Sequence, residues 1–370
     1  MNNILNNLTK LVAADSRTGS ERAITPLFKK LLEDSGFSVE VQEVSEGRSN
    51  LYAVKNDHPK SKAILFYGHQ DTVAPAQGWG GDPLELRCEN GRLYGLGAFD
   101  MKGGIAAFLE ATRHTTAYVK VFLAVDEEEA SEGAWYAAGN NEQFFQDVSL
   151  VVSAEPSLVG GSSHITIGRT GRFLFDVVFQ GKSAHLANYQ DGVDAIERMQ
   201  KFLGSFYTTR HEMFDAHGST AQIRSVQSEV VGMSVPEAAS CQVEVLAAYG
   251  EGIEGIQAKL QQLAGSNAHV VVAPRKTPYL PGYHNSTFPY QDVLEQTIRQ
   301  VYNEPVTYIE RKSVGDDNVL ASLGLPVITW GPEGGNAHTA DEWVSVTSLE
   351  NLVCGYETFL NLISSRSSDN

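Results

Sequence analysis

The sequence predicts an α/β fold with an α+β domain inserted into it. Helical and extended patterns alternate along residues 3–155 and again beyond about 290, which is typical of an α/β domain. Between them the order becomes strand, helix, strand, strand, helix, strand, which indicates a separate α+β unit. A chain of 370 residues also favours one large and one smaller domain. We therefore expect a first domain formed by 1–167 plus 276–370 and a second formed by 168–275.

Local sequence patterns predict each helix and strand of the first domain. The apolar residues of the N-terminal segment fall on one helical face and predict a first helix. Gly36 ends the helix predicted at 21–34, and the apolar run at 63–67 before Gly68 indicates that the strand near 62–67 is buried on both faces. The remaining predicted elements are strands near 37–44, 50–54, 118–125, 149–154, 306–310 and 325–330, and helices near 101–113, near 290–302, from Asn318 and from Ser348.

The inserted domain is predicted from six segments with alternating or helical apolar patterns. They are strands at 172–179, 222–231, 241–248 and 269–273, and helices at 194–206 and 253–265. The polar tail at 364–370 predicts disorder.

Composition and charge disfavour several classes of function. Apolar residues make up 42% of the chain, and no run approaches the roughly 18 apolar residues of a membrane helix. The net charge of −17 disfavours nucleic acid and anionic membranes as partners, because both would be repelled. The N-terminus shows no export signal, and Cys88, Cys241 and Cys354 are odd in number and far apart. These features favour a cytoplasmic protein with reduced thiols.

Side chains that bind metals follow the ends of predicted strands, where open α/β sheets place their sites. His69 and Asp71 come directly after the strand at 62–67. In extended backbone both face the same way, so the carboxylate can accept one imidazole N–H while the other ring nitrogen binds a metal. A capping aspartate beside a surface histidine would explain this pair equally well.

Three further strand ends offer carboxylates. Asp100 lies in a glycine-rich turn before a helix, where it is equally suited to be an N-cap, and the turn lacks the spacing of a phosphate-binding loop. The acidic run 126–129 is either a solvated edge or a cation site that includes a base. Glu155 ends an apolar strand, where a carboxylate is costly unless it is paired or bound to a metal.

A fifth strand end offers a histidine. His338 lies in the glycine-rich loop 331–342, after the strand near 325–330. Most of these residues, taken one at a time, have ordinary structural explanations. Five strand ends that each present a histidine or a carboxylate instead predict a metal site, and the mixture of nitrogen and oxygen ligands suits zinc, cobalt or manganese.

With these motifs the chain resembles the dizinc aminoacylase and carboxypeptidase family, which includes acetylornithine deacetylase, succinyl-diaminopimelate desuccinylase and carboxypeptidase G. The family's motifs H-x-D, D-M-K-G-G, D-E-E, E-P, G-x-x-A-H and A-H-x-x-D-E occur here in order along nearly the whole chain. The resemblance implies a mixed-sheet dizinc hydrolase domain at 1–167 plus 276–370, with a lid and dimerisation domain at 168–275.

The resemblance also implies a metal ligand set. The implied ligands are His69 and Glu155 for one Zn(II), Glu128 and His338 for a second, and Asp100 as the bridge between them. Co(II) and Mn(II) are the expected substitutes. The Asp100–Met101 peptide would be cis, as in relatives.

Three further residues acquire roles from the resemblance. Glu127 would be the general base, Asp71 would orient His69, and His185 of the insert would hydrogen-bond the developing oxyanion, often across a dimer. A one-residue shift in the acidic run, with Glu128 as base and Glu129 as ligand, is the alternative.

The chain departs from its relatives where substrate is recognised. Ser234 and Leu246 stand where many relatives have the Asn and Arg that hold a substrate carboxylate, and Arg169, Arg172 and Arg311 are the candidates that could take over this contact.

The segment around Asp316 and Asn318 resembles the acetylornithine and acetyl-lysine deacetylase branch, and an acid there would suit a cationic substrate side chain. Asp316 is also well placed to be a helix N-cap. The sequence therefore predicts a cytoplasmic hydrolase of N-acyl amino acids, most specifically an acetylornithine deacetylase-like enzyme. A dipeptidase, tripeptidase or carboxypeptidase is the alternative, and a non-catalytic binding relative is a more distant one.

Overall fold

The computed structural model describes residues 2–58, 62–157, 161 and 163–368. The chain divides into two compact units, one formed by 1–168, 285–310 and 315–370 and the other by 169–284 and 311–314. The second unit therefore extends past residue 275. Strands and helices are numbered in chain order as β1–β17 and α1–α9.

The first unit contains most of the strands and helices. Its strands are β1 (Ser38–Ser45), β2 (Arg48–Lys55), β3 (Ala63–His69), β4 (Arg87–Glu89), β5 (Arg92–Tyr94), β6 (Val119–Ala124), β7 (Val148–Ser153), β8 (His164–Arg169), β14 (Thr307–Arg311), β15 (Val327–Thr329), β16 (Gly334–Gly335) and β17 (Trp343–Ser345). Its helices are α1 (Asn2–Ala13), α2 (Thr25–Asp34), α3 (Gly103–Ala111), α4 (Glu132–Asn140), α7 (Gln291–Tyr302), α8 (Asp316–Ser322) and α9 (Val346–Ser368).

The main sheet of this unit is mixed, which confirms the predicted fold class. Its strands run in the order β1-β2-β6-β3-β7-β15-β8, with β14 also paired to β8. The pairs that join β6, β3, β7 and β15 are parallel, whereas β1, β2 and β8 pair antiparallel. Every residue of β3 and β6 is buried, as expected for strands covered on both faces.

The register of the parallel strands brings their carboxyl ends together. His69 at the end of β3 lies opposite Ala124 of β6, and Tyr67 lies opposite Ser153 of β7. The residues that follow β6 and β7 therefore emerge beside His69, at the edge where such sheets place their sites.

A small second sheet positions the loop that carries His338. Its strands run in the order β16-β17-β5-β4, and Trp343 of β17 pairs with Tyr94 of β5. This pairing lays the segment before β17 alongside the turn that follows β5.

Several details differ from the sequence-based expectations. The segment predicted as one helix at 21–34 is a 3₁₀ turn at Glu21–Ala23 followed by α2, because Pro26 starts a new helix. The last helix continues to Ser368, through most of the tail predicted to be disordered, while 369–370 lie outside the described residues. The short strands β4, β5, β16 and β17 were not predicted, because two or three residues carry no periodic pattern.

The second unit is an α+β domain with its own core. Its elements are β9 (Gly171–Gln180), β10 (Thr220–Ser228), β11 (Ala238–Ala247), β12 (Ala268–Val272), β13 (Tyr283–His284), α5 (Ala195–Met213) and α6 (Ile253–Ala264). An antiparallel sheet in the order β10-β11-β9-β12 alternates buried and half-buried residues in β9 and β11, and its buried side chains form one cluster with those of α5 and α6.

Among the described residues, no helix is long and apolar enough to span a membrane. The three cysteines are free thiols, of which Cys241 is buried and Cys88 and Cys354 are exposed.

Candidate metal centre

His69 is a deeply buried residue of the candidate site. It ends β3 with only 1% of its surface exposed. Its Nδ1 lies 2.9 Å from the main-chain oxygen of Asp71, whereas the Asp71 carboxylate is 3.5 Å away. The main chain, rather than the carboxylate expected from the spacing, is therefore the nearer partner of Nδ1. This contact leaves Nε2 facing Asp100 and Glu155, at 3.2 and 3.6 Å.

Asp100 lies between the two histidines. Its Oδ1 is 3.2 Å from Nε2 of His69, and its Oδ2 is 3.3 Å from Nε2 of His338. The Asp100–Met101 peptide is cis, which confirms the expectation from the resemblance. One carboxylate that turns its two oxygens toward different imidazoles is arranged as a bridging ligand would be.

The second histidine meets the acidic run after β6. Nε2 of His338 lies 3.0 Å from Oε2 of Glu128, whose side chain is 5% exposed, whereas half of the His338 side chain is exposed. Glu129, the next residue of the run, is exposed. Glu128 rather than Glu129 therefore lies with the other candidate ligands.

The spacing between these atoms fits zinc-class ions. Ligand atoms at about 2.0–2.1 Å from a tetrahedral zinc lie about 3.3 Å from one another. The nitrogen-to-oxygen distances of 3.0, 3.2, 3.3 and 3.6 Å in this cluster are centred on that value. The donor set, two imidazoles and three carboxylates, is also one that zinc, cobalt and manganese accept. The residues present therefore fit a pair of divalent cations.

Glu127 lies at the same edge of the main sheet as Glu128 but has different neighbours from it. Its carboxylate, that of Glu155 and the ring of His69 have atoms within 4.8 Å of one another. The main-chain N–H groups of Glu127 and Glu128 each donate to the Asp71 carboxylate, at 3.2 Å. Asp71 therefore holds the loop on which both glutamates lie.

The electrostatics of the cluster show an excess of negative charge. Burial and the nearby Glu155 carboxylate raise the pKa of Glu127 well above its usual range, and burial raises the pKa of Glu128 to about 6. Hydrogen bonds to Asp100 and Glu128 raise the pKa of His338 to about 10. Carboxylates crowded in this way bind protons or cations strongly, and divalent cations would relieve their repulsion.

Two supporting groups were not predicted from the sequence. The Arg48 guanidinium donates to Glu21 at 2.9 Å, to Asp126 at 2.8 Å and to Glu132 at 3.2 Å, and so holds the first residue of the acidic run together with the first residue of α4. Glu342, quoted in the A-H-x-x-D-E motif without a role, accepts three main-chain N–H groups from the turn that ends in Asp100. Both partnerships join segments far apart in sequence, so no local pattern marks them.

The segment proposed to face substrate is buried. Asp316 is 1% exposed and Asn318 is 0% exposed. The hydroxyl of Tyr67 donates to the Asp316 carboxylate at 2.8 Å, and Asn318 accepts the N–H of Gly315 at the start of α8. Burial raises the pKa of Asp316 to about 7. Gly315, rather than Asp316, is the N-cap of this helix.

The second unit carries the remaining candidates. His185 is exposed, its Nδ1 accepts the N–H of Ala187, and its main chain pairs with that of Ser234. Leu246 lies in β11 opposite Arg172, which forms an ion pair with Glu244 at 2.7 Å.

The arginines proposed to hold a substrate carboxylate are buried or half-buried. Arg169 and Arg311 are 3% and 8% exposed, and Arg172 also has most of its side chain covered. Arg169 lies 3.5 Å from the hydroxyl of Ser313.

Comparison with known proteins identifies similar chains. The model of peptidase family M20/M25/M40 matches residues 65–365. An acetylornithine deacetylase from Proteus mirabilis is 30% identical over 216 residues, which cover 56% of this chain and 54% of that protein. A succinyl-diaminopimelate desuccinylase from Anaplasma marginale is 25% identical over 372 residues, which cover 95% of this chain and 94% of that protein.

The fold is also similar to a solved structure. A tripeptidase from Staphylococcus aureus superimposes with a TM-score of 0.81 at 21% identity, over 98% of each chain. At that identity the likeness concerns the fold.

Proposed function

The chain belongs to peptidase family M20/M25/M40, and from this membership we propose that it is a two-metal hydrolase of N-acyl amino acids. Its class, a metal-dependent amide hydrolase, follows from the family. The observation that supports the two-metal centre is the position of Asp100, whose two carboxylate oxygens lie 3.2 and 3.3 Å from different histidines.

The proposed ligands divide between two ions. His69 and Glu155 would hold the first ion, and Glu128 and His338 would hold the second. Asp100 would be a ligand of both ions. We propose Zn(II) as the resident metal, with Co(II) or Mn(II) as substitutes, because imidazole and carboxylate ligands suit all three. When bound, such ions lower the pKa of a water molecule and polarise the substrate carbonyl.

Glu127 is the proposed general base and acid. It accepts a proton from the attacking water and delivers it to the leaving amine nitrogen, so that one carboxyl group serves both halves of the reaction. Burial and the neighbouring Glu155 carboxylate raise its pKa above the usual range of a glutamate, which makes its carboxylate a stronger base. Asp71 supports this role because its carboxylate holds the Glu127 N–H.

His185 is the proposed donor to the oxyanion. Its Nδ1 already accepts the Ala187 N–H, so a neutral ring carries its proton on Nε2, which is then available as a donor. We propose that the second unit acts as a lid, and that a homodimer formed through it delivers this histidine.

The substrate proposal comes from the curated relatives. Both relatives named above are, by their names, enzymes that remove an acyl group from an amino-acid amine. An acetylornithine-type substrate is the specific proposal. The burial of Asp316 and its hydrogen bond to Tyr67 argue against a direct contact with a substrate cation. A cytoplasmic location remains part of the proposal.

A substrate panel tests the proposal. Acetyl, succinyl and formyl amino acids, including N-acetylornithine, are assayed beside dipeptides and tripeptides with added Zn(II) or Co(II). We expect an acyl amino acid to give the highest kcat/KM. A preference for peptides over every acyl amino acid would replace the deacylase with a peptidase.

A matched pair of variants tests the base. Glu127→Gln should lower kcat by at least about 100-fold with two metals still bound, because a general base contributes about 10²–10⁴-fold. Glu129→Gln, on the exposed residue two positions later, should retain activity. Equal losses in both variants would contradict the assignment.

A further inference from the structure

Glu342 lies beneath the turn that carries Asp100. Its side chain is buried, with 2% of the residue exposed. Its Oε2 accepts the N–H of Gly97 at 2.8 Å, and its Oε1 accepts the N–H groups of Phe99 and Asp100, each at 2.9 Å. Three main-chain N–H groups that share one buried carboxyl group give this turn a firm anchor.

The three donors are main-chain groups, and one belongs to Asp100 itself. A bond to the N–H of Asp100 fixes the residue from its own backbone, which determines where its two carboxylate oxygens lie. Gly97 has a φ of 73°, so the turn adopts a left-handed conformation that places its N–H groups on one side. The turn is therefore built around the Glu342 carboxyl group.

Glu342 is also four residues after His338, in the loop that approaches the same site. The loop is bent, with a positive φ at Asn336, His338 and Asp341. The main-chain oxygen of Glu342 accepts the N–H of Gly95 at 3.0 Å, so its backbone joins the same turn as its side chain. One residue therefore connects the segment of Asp100 with the segment of His338.

We propose that Glu342 is a positioning residue that sets the distance between Asp100 and His338 and so the affinity of the second metal. The proposal rests on the two-metal function above. Ligand distances must be correct to within about 0.2 Å, and residues that orient ligands affect metal affinity by about 10–100-fold. A purely structural role would change stability and leave metal affinity unaltered.

Two substitutions of Glu342 should weaken metal binding to different degrees. Glu342→Gln keeps one acceptor oxygen and directs an amide NH₂ at the remaining donors, whereas Glu342→Ala leaves three main-chain N–H groups without this acceptor. The control is Asp341→Asn, one residue earlier. The Asp341 carboxylate accepts from Gly80 and Arg87, which lie outside the turn that carries Asp100.

The readout is binding of Co(II) to the metal-free full chain, followed by visible absorption, with folding checked by circular dichroism. We expect two equivalents to bind wild type, the weaker site to lose about 10-fold in affinity in Glu342→Gln, and about 100-fold in Glu342→Ala. Asp341→Asn should stay within about twofold of wild type. If the alanine variant does not fold, the affinity of the glutamine variant alone tests the positioning role.

Wild-type affinity at both sites in a folded Glu342→Gln would overturn the positioning role while leaving the hydrolase proposal intact. An equal loss in Asp341→Asn would also overturn it, since it would show a general loop effect. A wild-type chain that binds no Co(II) would overturn the two-metal function, and the positioning role with it.

Discussion

The carboxylate of Asp71 accepts a hydrogen bond from the main-chain N–H of Glu127, with oxygen and nitrogen 3.2 Å apart. The same carboxylate accepts the N–H of Glu128 at 3.2 Å and the hydroxyl of Thr18 at 2.9 Å. It is 3.5 Å from the His69 ring. Asp71 therefore organises the loop of the proposed base at least as much as it orients a histidine.

Asp71→Asn should lower activity by about 10–100-fold, because an amide presents only one acceptor oxygen to three donors. The loss should appear in kcat with bound metal largely retained, and steady-state kinetics with metal analysis would measure both. Thr18→Val removes one donor only and should cost a few-fold at most. An Asp71→Asn enzyme with wild-type kcat would contradict this role.

The sequence predicts that the candidate metal ligands lie together, whereas it does not predict the contacts that hold them in place. His69, Glu128 and Glu155 each follow an apolar run that predicts a strand. They are expected to lie close together because parallel strands end at one edge of a sheet. The contacts of Arg48 and Glu342 join the site to segments tens or hundreds of residues away. Such pairings depend on tertiary packing and leave no periodic signal in the chain.

Arg48→Met should destabilise the protein by about 3–5 kcal/mol, because it leaves buried carboxylates at Glu21 and Asp126 without their cation. The free energy of unfolding in urea would measure this change, and activity should fall as the acidic run shifts. Arg17→Met, which removes an exposed pair with Asp15, is the control and should change stability far less. Similar losses in the two variants would argue against the network.

Gly104→Ala should destabilise the protein and weaken metal binding. A Cβ at Gly104 would lie 2.1 Å from the main-chain oxygen of Ala154, next to Glu155, so α3 or the end of β7 must move. Overpacking of this kind costs about 1–3 kcal/mol or more. Gly139→Ala, at a helical glycine with open space around it, should instead be neutral or stabilising by up to about 1 kcal/mol. Urea unfolding distinguishes the two, and a neutral Gly104→Ala would contradict the close contact.

Lys120 and Asp147 form an ion pair that should make stability depend on pH. Lys120 is buried in β6 and donates to Asp147 and to the main-chain oxygen of Phe144. Burial would raise the pKa of Asp147, but hydrogen bonds from Lys120 and Tyr118 lower it overall. A carboxyl whose pKa is lower in the folded state stabilises that state above its unfolded pKa of about 3.9, and loses this effect as the pH falls through the folded value.

Asp147→Asn should therefore cost about 1–2 kcal/mol at pH 7, a value reduced from that of a fully buried pair because the Asp147 side chain is 36% exposed. The difference in unfolding free energy from wild type should shrink as the pH falls below about 4, where the wild-type carboxyl also becomes neutral. Urea unfolding at several pH values measures it. Asp292→Asn, at an exposed pair with Arg366, should show little change at any pH. A difference at Asp147 that stays constant down to low pH would show that packing, rather than charge, accounts for the loss.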